Sequence, residues 1–451
     1  MGESNGKRFV AIVGGGIAGL AAAREIRRRM PDVEPVILEA GRRAGGVLAT
    51  EHVGGFLCEH AASGFLDNVD DGGLWLAKEL GVDMVCAQPE AKRRWIFRGG
   101  ALRQVPNGPP ALLSSELLTW RGKLRLLCEP LVPKGGEAEE TVADFIKRRV
   151  GEEALHALVE PLVLGIFAGD AEQISLPAAF PRLAALEKEH GSLFRGLVAS
   201  RGRMPKLWAP RGGLAALVAA LVKDVGPVLR TGTRVQVMEK TTDGFRLGLE
   251  GGGELRAHAV VLAVPAWEAA ELMRDLDATV AVTLRETWYA PAVVVHATAP
   301  DDQVEHSIQG FGFMVGSGEP VRCLGCVLES TVWPDRAPPG SVLFRLIYGG
   351  ARDPGVVALS DEELIRFVEA DLRRTLSLRR APHVLRIVRH NRAIPQYTVG
   401  HVGRVALVED RARAVGVVMA GSCTHGVGVN DCVRDATRVA TSLKEVLDHP
   451  A

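Results

Sequence analysis

Four residues near the start of the chain have the types and spacing needed to hold a dinucleotide. Gly14, Gly16 and Gly19 form a G-x-G-x-x-G pattern directly after an apolar run, and Glu39 follows Gly19 by 20 residues. The first glycine permits a tight turn, the second lets the backbone approach a pyrophosphate, and the third lets a helix pack closely against a strand. An acidic residue at this distance accepts hydrogen bonds from ribose hydroxyls. The pattern predicts a dinucleotide cofactor without separating NAD from FAD.

An opening β-α-β unit must position these residues. The apolar runs at 10–13 and 35–38 predict two parallel strands, the second ending just before Glu39 and Ala40. Between them the glycines open a helix that begins near Ile17 and Ala18. The N-terminus of a helix presents free N–H groups and a positive dipole end, so we expect it to face the phosphates.

The residues after the acidic side chain favour FAD. Arg43, Gly45 and Gly46 form an R-x-G-G pattern that resembles the extension found in the amine-oxidase-type FAD superfamily. In that superfamily the arginine and glycines hold the FAD pyrophosphate and the loop facing the flavin. The resemblance implies FAD rather than a diffusing nicotinamide cofactor.

The composition is that of a folded protein of two or three domains. The chain has 451 residues, of which 47% are apolar and 24% charged. Its 54 basic and 54 acidic residues give zero net charge, which argues against a nucleic-acid partner. No apolar run reaches the roughly 18 residues of a spanning helix, and the first residues lack a signal-peptide core. We therefore expect a cytoplasmic protein.

The cysteines predict neither a disulfide framework nor a metal site. Seven cysteines occur at irregular spacings, and Cys323 and Cys326 form a single C-x-x-C pair. A redox pair or half of a zinc site would be the functional alternatives. The apolar residues around the pair instead predict a buried strand with structural thiols.

Three further blocks make the chain recognisable. They are E-P-L-V-L-G-I-F-A-G-D at 160–170, A-I-P-Q-Y-T-V-G-H at 393–401 and G-V-G-V-N-D-C-V at 426–433. In type, order and spacing they resemble the signature blocks of the protoporphyrinogen oxidases, FAD enzymes near the end of haem synthesis. The resemblance is to the bacterial type and covers nearly the whole chain.

The resemblance implies an α/β fold (α+β overall) with a discontinuous cofactor domain. A doubly wound, Rossmann-like FAD domain would be joined by a mixed-sheet substrate domain and a helical membrane-contacting domain. The expected segments are FAD-binding parts 1–84, 208–280 and 402–451, substrate-domain parts 85–94, 180–207 and 281–401, and the helical domain 95–179.

The implied reaction is oxygen-dependent oxidation of protoporphyrinogen IX. Hydride would pass from a meso carbon to flavin N5, and molecular oxygen would reoxidise the flavin to give hydrogen peroxide. No catalytic side chain is assigned, because the cofactor carries the chemistry. Coproporphyrinogen III oxidation, a paralogous FAD oxidase acting on an amine or another bulky C–H donor, and a porphyrin-binding protein without turnover remain alternatives.

The resemblance also implies the site residues. Arg94 would pair with a substrate propionate, with an exposed surface arginine as the alternative. The remaining substrate residues would be Gly169, approached closely by the macrocycle, and three apolar residues that core packing would explain equally well, namely Met314, Val332 and Ile347. Main-chain groups would hold FAD at Val235, Gly421, Val427, Gly428 and Val429.

A run of apolar residues at helical spacing predicts a further surface or core element. Its members are Leu113, Leu117, Trp120, Leu124 and Leu127, with Arg121, Lys123 and Arg125 between them. A helix of this kind either packs on the core or contacts a membrane peripherally, with snorkelling basic side chains. Peripheral contact would be with the inner face of the cell membrane. Ferrochelatase and a second copy of the chain are the protein partners considered.

Two segments depart from the family pattern. Residues 60–65, H-A-A-S-G-F, replace a stretch that usually contains G-P-N-S-F, and residues 389–392, R-H-N-R, replace a run with tryptophan and proline. In the family both segments face the active site. The departures leave the fold expectation intact and open the question of substrate identity.

Overall fold

The structure is a computed structural model that describes residues 7–136, 138–199, 204–304 and 309–449. Its strands are β1 Arg8–Val13, β2 Val33–Leu38, β3 Thr50–Val53, β4 Phe56–Glu59, β5 Phe65–Leu66, β6 Met84–Cys86, β7 Arg94–Arg98, β8 Ala101–Gln104, β9 Leu207–Pro210, β10 Leu229–Arg230, β11 Val235–Thr241, β12 Gly244–Leu249, β13 Glu254–Ala257, β14 Ala259–Leu262, β15 Tyr289–Pro300, β16 Gly312–Val315, β17 Gly325–Leu328, β18 Ser341–Gly349, β19 His383–Pro395 and β20 Val417–Met419.

Its α-helices are α1 Ile17–Arg29, α2 Gly73–Glu79, α3 Pro109–Ser114, α4 Trp120–Leu127, α5 Val142–Arg149, α6 Glu152–Ala154, α7 Glu160–Phe167, α8 Leu176–Ala179, α9 Pro181–His190, α10 Leu193–Ala199, α11 Leu214–Val225, α12 Ala266–Met273, α13 Ala278–Arg285, α14 Glu329–Val332, α15 Asp361–Leu376, α16 His401–Ala414 and α17 Val429–Asp448. None of these helices combines the length and apolar character needed to cross a bilayer, within the part of the chain that is described.

A parallel five-stranded sheet forms the first layer of the fold. Its order is β10-β2-β1-β14-β20, and β1 lies at its centre between β2 and β14. Alternate residues of β1 face opposite layers, as period-2 geometry requires. Val10 and Ile12 pack with α1, α11 and α17, whereas Ala11 and Val13 pack with the β11–β13 sheet and α12. The predicted α/β fold class with a doubly wound sheet is confirmed.

A mixed seven-stranded sheet forms the second layer. Its order is β19-β15-β18-β17-β16-β7-β8, and only β7 and β16 pair in parallel. Helix α15 covers one face through a stripe of buried leucine and valine side chains. The predicted boundary at residue 94/95 falls inside β7, because β7 and β8 belong to this sheet. The wider division into domains stays a prediction.

The apolar run at 113–127 is not a single helix. Helix α3 ends at Ser114, and α4 begins at Trp120 after Thr119 caps it by accepting a hydrogen bond from the Gly122 N–H. Leu117 lies between the two helices with only 3% of its surface exposed, whereas Trp120 is 69% exposed. The predicted common face of Leu117 and Trp120 is therefore wrong, and the side chain of Leu113 lies outside the described residues.

Candidate functional site

The three glycines after β1 have different structural roles. Gly14 has φ of +108°, and a Cβ there would overlap the carbonyl oxygen of Ala263. A Cβ at Gly19 would overlap the Gly14 carbonyl, so this glycine allows α1 to pack against the turn. Gly16 instead faces open space and supplies no side-chain cap to α1. The fold itself needs Gly14 and Gly19, while Gly16 leaves room for a phosphate at the uncapped N-terminus formed by Ile17 and Ala18.

Glu39 is held in place by the same turn. Its Oε2 accepts a hydrogen bond from the Gly15 N–H at 2.7 Å, and its Oε1 accepts one from the Gly41 N–H at 2.6 Å. Each carboxylate oxygen keeps a lone pair, so Glu39 can still accept from ribose hydroxyls. Ala40 is exposed beside it.

The segment that leads to Val235 runs alongside Glu39. The Glu39 N–H donates to the Arg230 carbonyl at 2.9 Å, and the Thr233 N–H donates to the Glu39 carbonyl at 2.8 Å. Val235 then starts β11, where its side chain is buried. This arrangement brings the predicted adenine-side residue next to the predicted ribose-side residue.

The Arg43 side chain is hydrogen-bonded within the loop that contains Gly45 and Gly46. Its guanidinium donates to the carbonyls of Ala44, Gly46 and Leu48 at 3.3, 2.8 and 3.1 Å. The Gly45 N–H donates to the Gly15 carbonyl at 2.7 Å, and Gly46 packs beside Gly16. Arg43 therefore shapes the loop at the phosphate turn, and direct contact with the cofactor stays a prediction.

Residues 421–428, the 421–428 loop, join β20 to α17. A Cβ at Gly421 would lie 3.4 Å from the Ala18 Cβ, so the loop meets the N-terminus of α1. Asp431 caps α17 by accepting from the Gly428 N–H at 3.0 Å, with Val429 buried behind it. The Val427 N–H has no hydrogen-bond partner among the described residues. The 421–428 loop, the Gly45–Gly46 loop and Glu39 therefore all meet the turn between β1 and α1, where the cofactor is predicted to bind.

Strand register shows which side chains share a face of the seven-stranded sheet. Residues paired across a sheet point to the same side, and alternate residues of a strand do so too. One row across β7, β16, β17 and β18 contains Arg94, Gly312, Val327 and Arg345. The next row contains Ile96, Met314, Gly325 and Ile347. We call this side, which is opposite α15, the cleft face.

The cleft face brings three of the five predicted substrate residues together. Met314 and Ile347 flank Gly325, which carries no side chain, so a flat ligand could lie between them. Helix α7 covers part of this face: a Cβ at Gly165 would lie 3.3 Å from the Met314 sulfur. Ile347 packs with buried residues of α7 and its C-terminal turn.

Arg94 begins β7 at the edge of the cleft face. Its guanidinium carbon lies 5.3 Å from the Phe311 ring centroid, and no carboxylate or other hydrogen-bond acceptor contacts it within the described ranges. Surrounding protein lowers the pKa of Arg94 by desolvation, although the side chain keeps contact with solvent. Guanidinium remains protonated in proteins, so Arg94 is a cation without an acidic partner among the described residues.

Two predicted substrate residues have other neighbours. Val332 in α14 has no exposed surface and packs in a closed cluster with Trp333 and Val327, so it offers no surface to a ligand in this structure. Gly169 is buried as well, and a side chain there would overlap the Gln396 amide oxygen. Close packing against Gln396, rather than open space for a substrate, requires glycine at this position.

The 59–65 loop lies against the cleft face and is held by side chains from it. His296 donates from Nε2 to the Glu59 carbonyl at 2.8 Å, and Nε2 of His390 lies 2.9 Å from the His60 carbonyl. Arg345 donates to the Ala61 carbonyl and, at 3.3 Å, to the Ser63 hydroxyl. Burial lowers the pKa of His296 to about 4, so it is neutral at physiological pH. These anchors lie far from the loop in sequence.

A buried ion pair secures the start of the same loop. Arg336 donates to Glu59 Oε1 at 2.9 Å, and each side chain is only 1% exposed. Glu59 also accepts from the Leu214 N–H and the Thr50 hydroxyl, both at 2.8 Å. Desolvation raises the pKa of Glu59 despite the nearby cation. The pair ties β4 to α11 and to the segment that follows α14.

The sequence contains a signal for these anchors. Arg345 and His296 are single cationic or titratable residues within otherwise apolar strands. A polar residue at such a position needs a buried partner, which makes it a candidate for a structural or functional contact.

Comparisons with known proteins agree with this architecture. The model of the family described as flavin containing amine oxidoreductase matches residues 17–443. The chain belongs to this family. It is 30% identical to human protoporphyrinogen oxidase over 97% of this chain and 98% of that protein. It is 29% identical to coproporphyrinogen III oxidase of Bacillus subtilis over 97% of this chain and 98% of that protein.

A solved structure shows the same overall fold. A protein from Exiguobacterium sp. 255-15, assigned provisionally as a protoporphyrinogen oxidase, superposes with a TM-score of 0.84 at 28% identity, covering 98% of this chain and 100% of that chain. Reduced UDP-galactopyranose mutase, at 14% identity and a TM-score of 0.74, shares the fold alone.

Family membership identifies the protein as an FAD-dependent oxidoreductase, and the turn between β1 and α1 is the predicted position of the cofactor. The residues present fit the cofactor. Gly16 leaves the phosphate position open, the N-terminus of α1 has no side-chain cap, and the Val427 N–H lacks an acceptor among described residues. The prediction of FAD is confirmed, while the roles of individual site residues stay predictions.

Proposed function

We propose that this chain oxidises a porphyrinogen, with protoporphyrinogen IX as the substrate. The observation that carries the proposal is Arg94 at the edge of the cleft face, whose guanidinium has no hydrogen-bond acceptor in the described part of the chain. Guanidinium binds a propionate carboxylate through parallel hydrogen bonds and repels the ammonium form of an amine donor. The names of the human and other relatives support the same substrate class.

The register of the sheet gives a binding orientation. With a propionate at Arg94, the macrocycle would lie over Gly325 between Met314 and Ile347. Arg345 is in the row of Arg94 three strands away, a span of roughly 14 Å at the usual strand spacing. The far side of the ligand would therefore reach the 59–65 loop, which Arg345 anchors.

Positioning is the main contribution of the protein. The chemistry that bound FAD would supply is acceptance of hydride from the porphyrinogen, with dioxygen as the final two-electron acceptor and hydrogen peroxide as the product. Arg94 would hold the polar edge of the substrate, while Met314 and Ile347 would shield its apolar surface from water. Such alignment of reacting groups is a large source of rate enhancement that needs no catalytic acid.

Replacing Arg94 by methionine tests the proposal. Charge-assisted hydrogen bonds contribute about 1.5–3 kcal/mol, so KM for protoporphyrinogen IX should rise roughly 10- to 150-fold with a smaller effect on kcat. Arg93→Met, which removes the same charge from the preceding residue, is the matched control and should change KM little. An unchanged KM in Arg94→Met, or an equal change in both variants, would sink the assignment.

Coproporphyrinogen III is the second candidate substrate, favoured by the Bacillus subtilis relative. It carries more carboxylates than protoporphyrinogen IX and needs more cationic partners. Of the other arginines on the cleft face, Arg345 is engaged with the 59–65 loop and Arg386 with Glu51 at 2.8 Å. Arg98, which shares the face of Arg94 on β7, has a buried Nη1 without a hydrogen-bond partner among the described residues. Arg98 would be the partner of an additional carboxylate in this second candidate. Comparing kcat/KM for the two porphyrinogens decides between them.

We further propose that an apolar surface contacts a membrane peripherally. Trp120, Leu124 and Leu127 of α4 are 69%, 53% and 56% exposed, and Leu131 is 80% exposed. Buried Glu129 accepts hydrogen bonds from the first N–H groups of α10, which fixes α10 beside this segment. Arg125 donates to the carbonyls of Arg148 and Arg149, so Arg121 and Lys123 are the bases left to face lipid headgroups.

Vesicle sedimentation tests the membrane contact. The protein should sediment with vesicles containing anionic lipid, and Leu124→Glu should abolish this while leaving flavin absorbance unchanged. Exposed Val282→Glu on α13 is a control that should sediment normally. If both variants sediment with the vesicles like the parent protein, the surface is not a lipid contact. The same conclusion follows if Leu124→Glu instead disrupts self-association or binding to added ferrochelatase.

A further inference from the structure

The 421–428 loop has no regular secondary structure, so side chains must fix its shape. It leaves β20 at Gly421, where φ is +97°, and turns again at Gly426, where φ is +90°. Its Val427 N–H, a predicted contact of the cofactor, has no hydrogen-bond partner within the described ranges. The direction of this N–H depends on the contacts that hold the loop from behind.

Tyr397 spans the loop with one hydroxyl group. The phenol donates to the Ser422 carbonyl at 2.6 Å and accepts from the Gly426 N–H at 2.9 Å. Its side chain is 1% exposed, and burial raises the pKa of the phenol. The hydroxyl therefore stays protonated at neutral pH and keeps both bonds, one at each end of the turn.

His401 supports Tyr397 from the next turn of the chain. The two rings stack with centroids 4.0 Å apart and an angle of 15° between their planes. His401 Nε2 lies 3.4 Å from the Thr424 carbonyl, in the middle of the loop. Burial lowers the pKa of His401 to about 4, so the neutral ring donates this bond. Tyr397 and His401 together contact both ends and the centre of the loop.

Gln396, adjacent to Tyr397, reaches in a different direction. Its Nε2 donates to the Phe167 carbonyl at 2.8 Å, at the C-terminal end of α7. Its amide oxygen occupies the space beside Gly169. Gln396 therefore contacts the turn after α7, whereas Tyr397 contacts the 421–428 loop.

We propose that Tyr397 is a positioning residue that sets the conformation of the 421–428 loop, and through it the affinity for FAD and the reduction potential of the bound flavin. It acts through the backbone of the loop and has no assigned contact with the reacting atoms. Removing its hydroxyl leaves the Gly426 N–H and the Ser422 carbonyl without their buried partner, and both can then rotate. The inference rests on FAD binding and is independent of the substrate proposal.

Tyr397→Phe tests this role because it keeps the ring and its stack on His401. FAD affinity, measured by titrating the apoprotein and following quenching of flavin fluorescence, should fall roughly tenfold, the scale expected for the loss of two partly buried hydrogen bonds. The visible circular dichroism of the flavin and its reduction potential, measured against reference dyes, should also shift. With any accepted substrate, kcat should fall and KM should stay close to its starting value.

Two further variants separate positioning from general destabilisation. His401→Phe keeps the stack and removes the Thr424 contact, so it should shift the same flavin signals by a smaller amount. Gln396→Leu disturbs the turn after α7 and should leave FAD affinity unchanged. If Tyr397→Phe does not fold, His401→Phe carries the prediction. Unchanged affinity, dichroism and potential in the folded hydroxyl or imidazole variant would overturn the proposal.

Discussion

Replacing Arg336 by methionine should destabilise the folded protein by about 3–5 kcal/mol, the range for breaking a buried ion pair by removing one partner. Methionine keeps most of the apolar stem, so the cavity contribution is small. The loss arises because the Glu59 carboxylate is 1% exposed and retains only neutral donors, the Leu214 N–H and the Thr50 hydroxyl. The Ser63 carbonyl also loses its 3.3 Å bond from Arg336.

The stability loss caused by Arg336→Met should depend on pH in a defined direction. Burial already raises the pKa of Glu59, and loss of the cation raises it further. A carboxyl whose folded pKa exceeds its unfolded value favours the folded state more as pH falls through the folded pKa. The destabilisation caused by Arg336→Met should therefore decrease as the pH falls from neutral toward the ordinary titration range of a carboxyl group.

Urea unfolding at a fixed excess of FAD measures these effects, since bound cofactor shifts apparent stability. Glu59→Gln and the double variant complete a mutant cycle. Because each single variant strands a buried group that the double variant does not, the double variant should lose less than the sum of the two. A loss below about 1 kcal/mol for Arg336→Met, or strict additivity, would refute a dominant buried pair.

Two other predictions follow from the same structure. Gly16→Ala should fold normally but bind FAD weakly, because Gly16 faces open space that the added methyl group would occupy, whereas Gly14→Ala should lose stability, because φ of Gly14 is +108°. Melting of the apoprotein and titration with FAD distinguish the two variants. Equal losses of melting temperature would contradict this prediction. Burial lowers the pKa of both His296 and His401 to about 4, so stability should be complete above pH 6.5 and decline by up to about 1.4 kcal/mol per pH unit and histidine toward pH 4. A His296→Gln variant with an unchanged slope of unfolding free energy against pH would exclude His296 as a cause.

The candidate cofactor site at the turn between β1 and α1 could be predicted from sequence because its parts are local. Gly14, Gly16 and Gly19 act within one turn, and Glu39 follows at the end of the next strand. Backbone conformation and strand order follow from nearby residues in such a unit. The 421–428 loop was assigned to the same site only through the family resemblance, because a local sequence pattern cannot show that a segment about 400 residues away lies beside the first turn.

The helix predicted over 113–127 failed for a physical reason. Apolar spacing alone does not show where a helix is interrupted, and the capping side chain of Thr119 starts a new helix at Trp120. The substrate residues could not be separated from core for a related reason. Ile347 and Val332 are both apolar residues in regular elements, and only strand pairing places Ile347 on the cleft face while Val332 is enclosed.

The two segments that depart from the family pattern form one physical unit. His390 lies in the departing segment 389–392, and its Nε2 lies 2.9 Å from the carbonyl of His60 in the other departing segment, 330 residues away in sequence. The imidazole of His390 extends from β19 and can donate this hydrogen bond, which holds the 59–65 loop against that strand. Replacing His390 would remove this donor from the His60 carbonyl, and a change in the 59–65 loop that shifts this backbone carbonyl would leave the His390 imidazole without its acceptor. Any change of substrate preference that the two departing segments bring should arise at this contact, where the 59–65 loop meets the cleft face, rather than at two independent places.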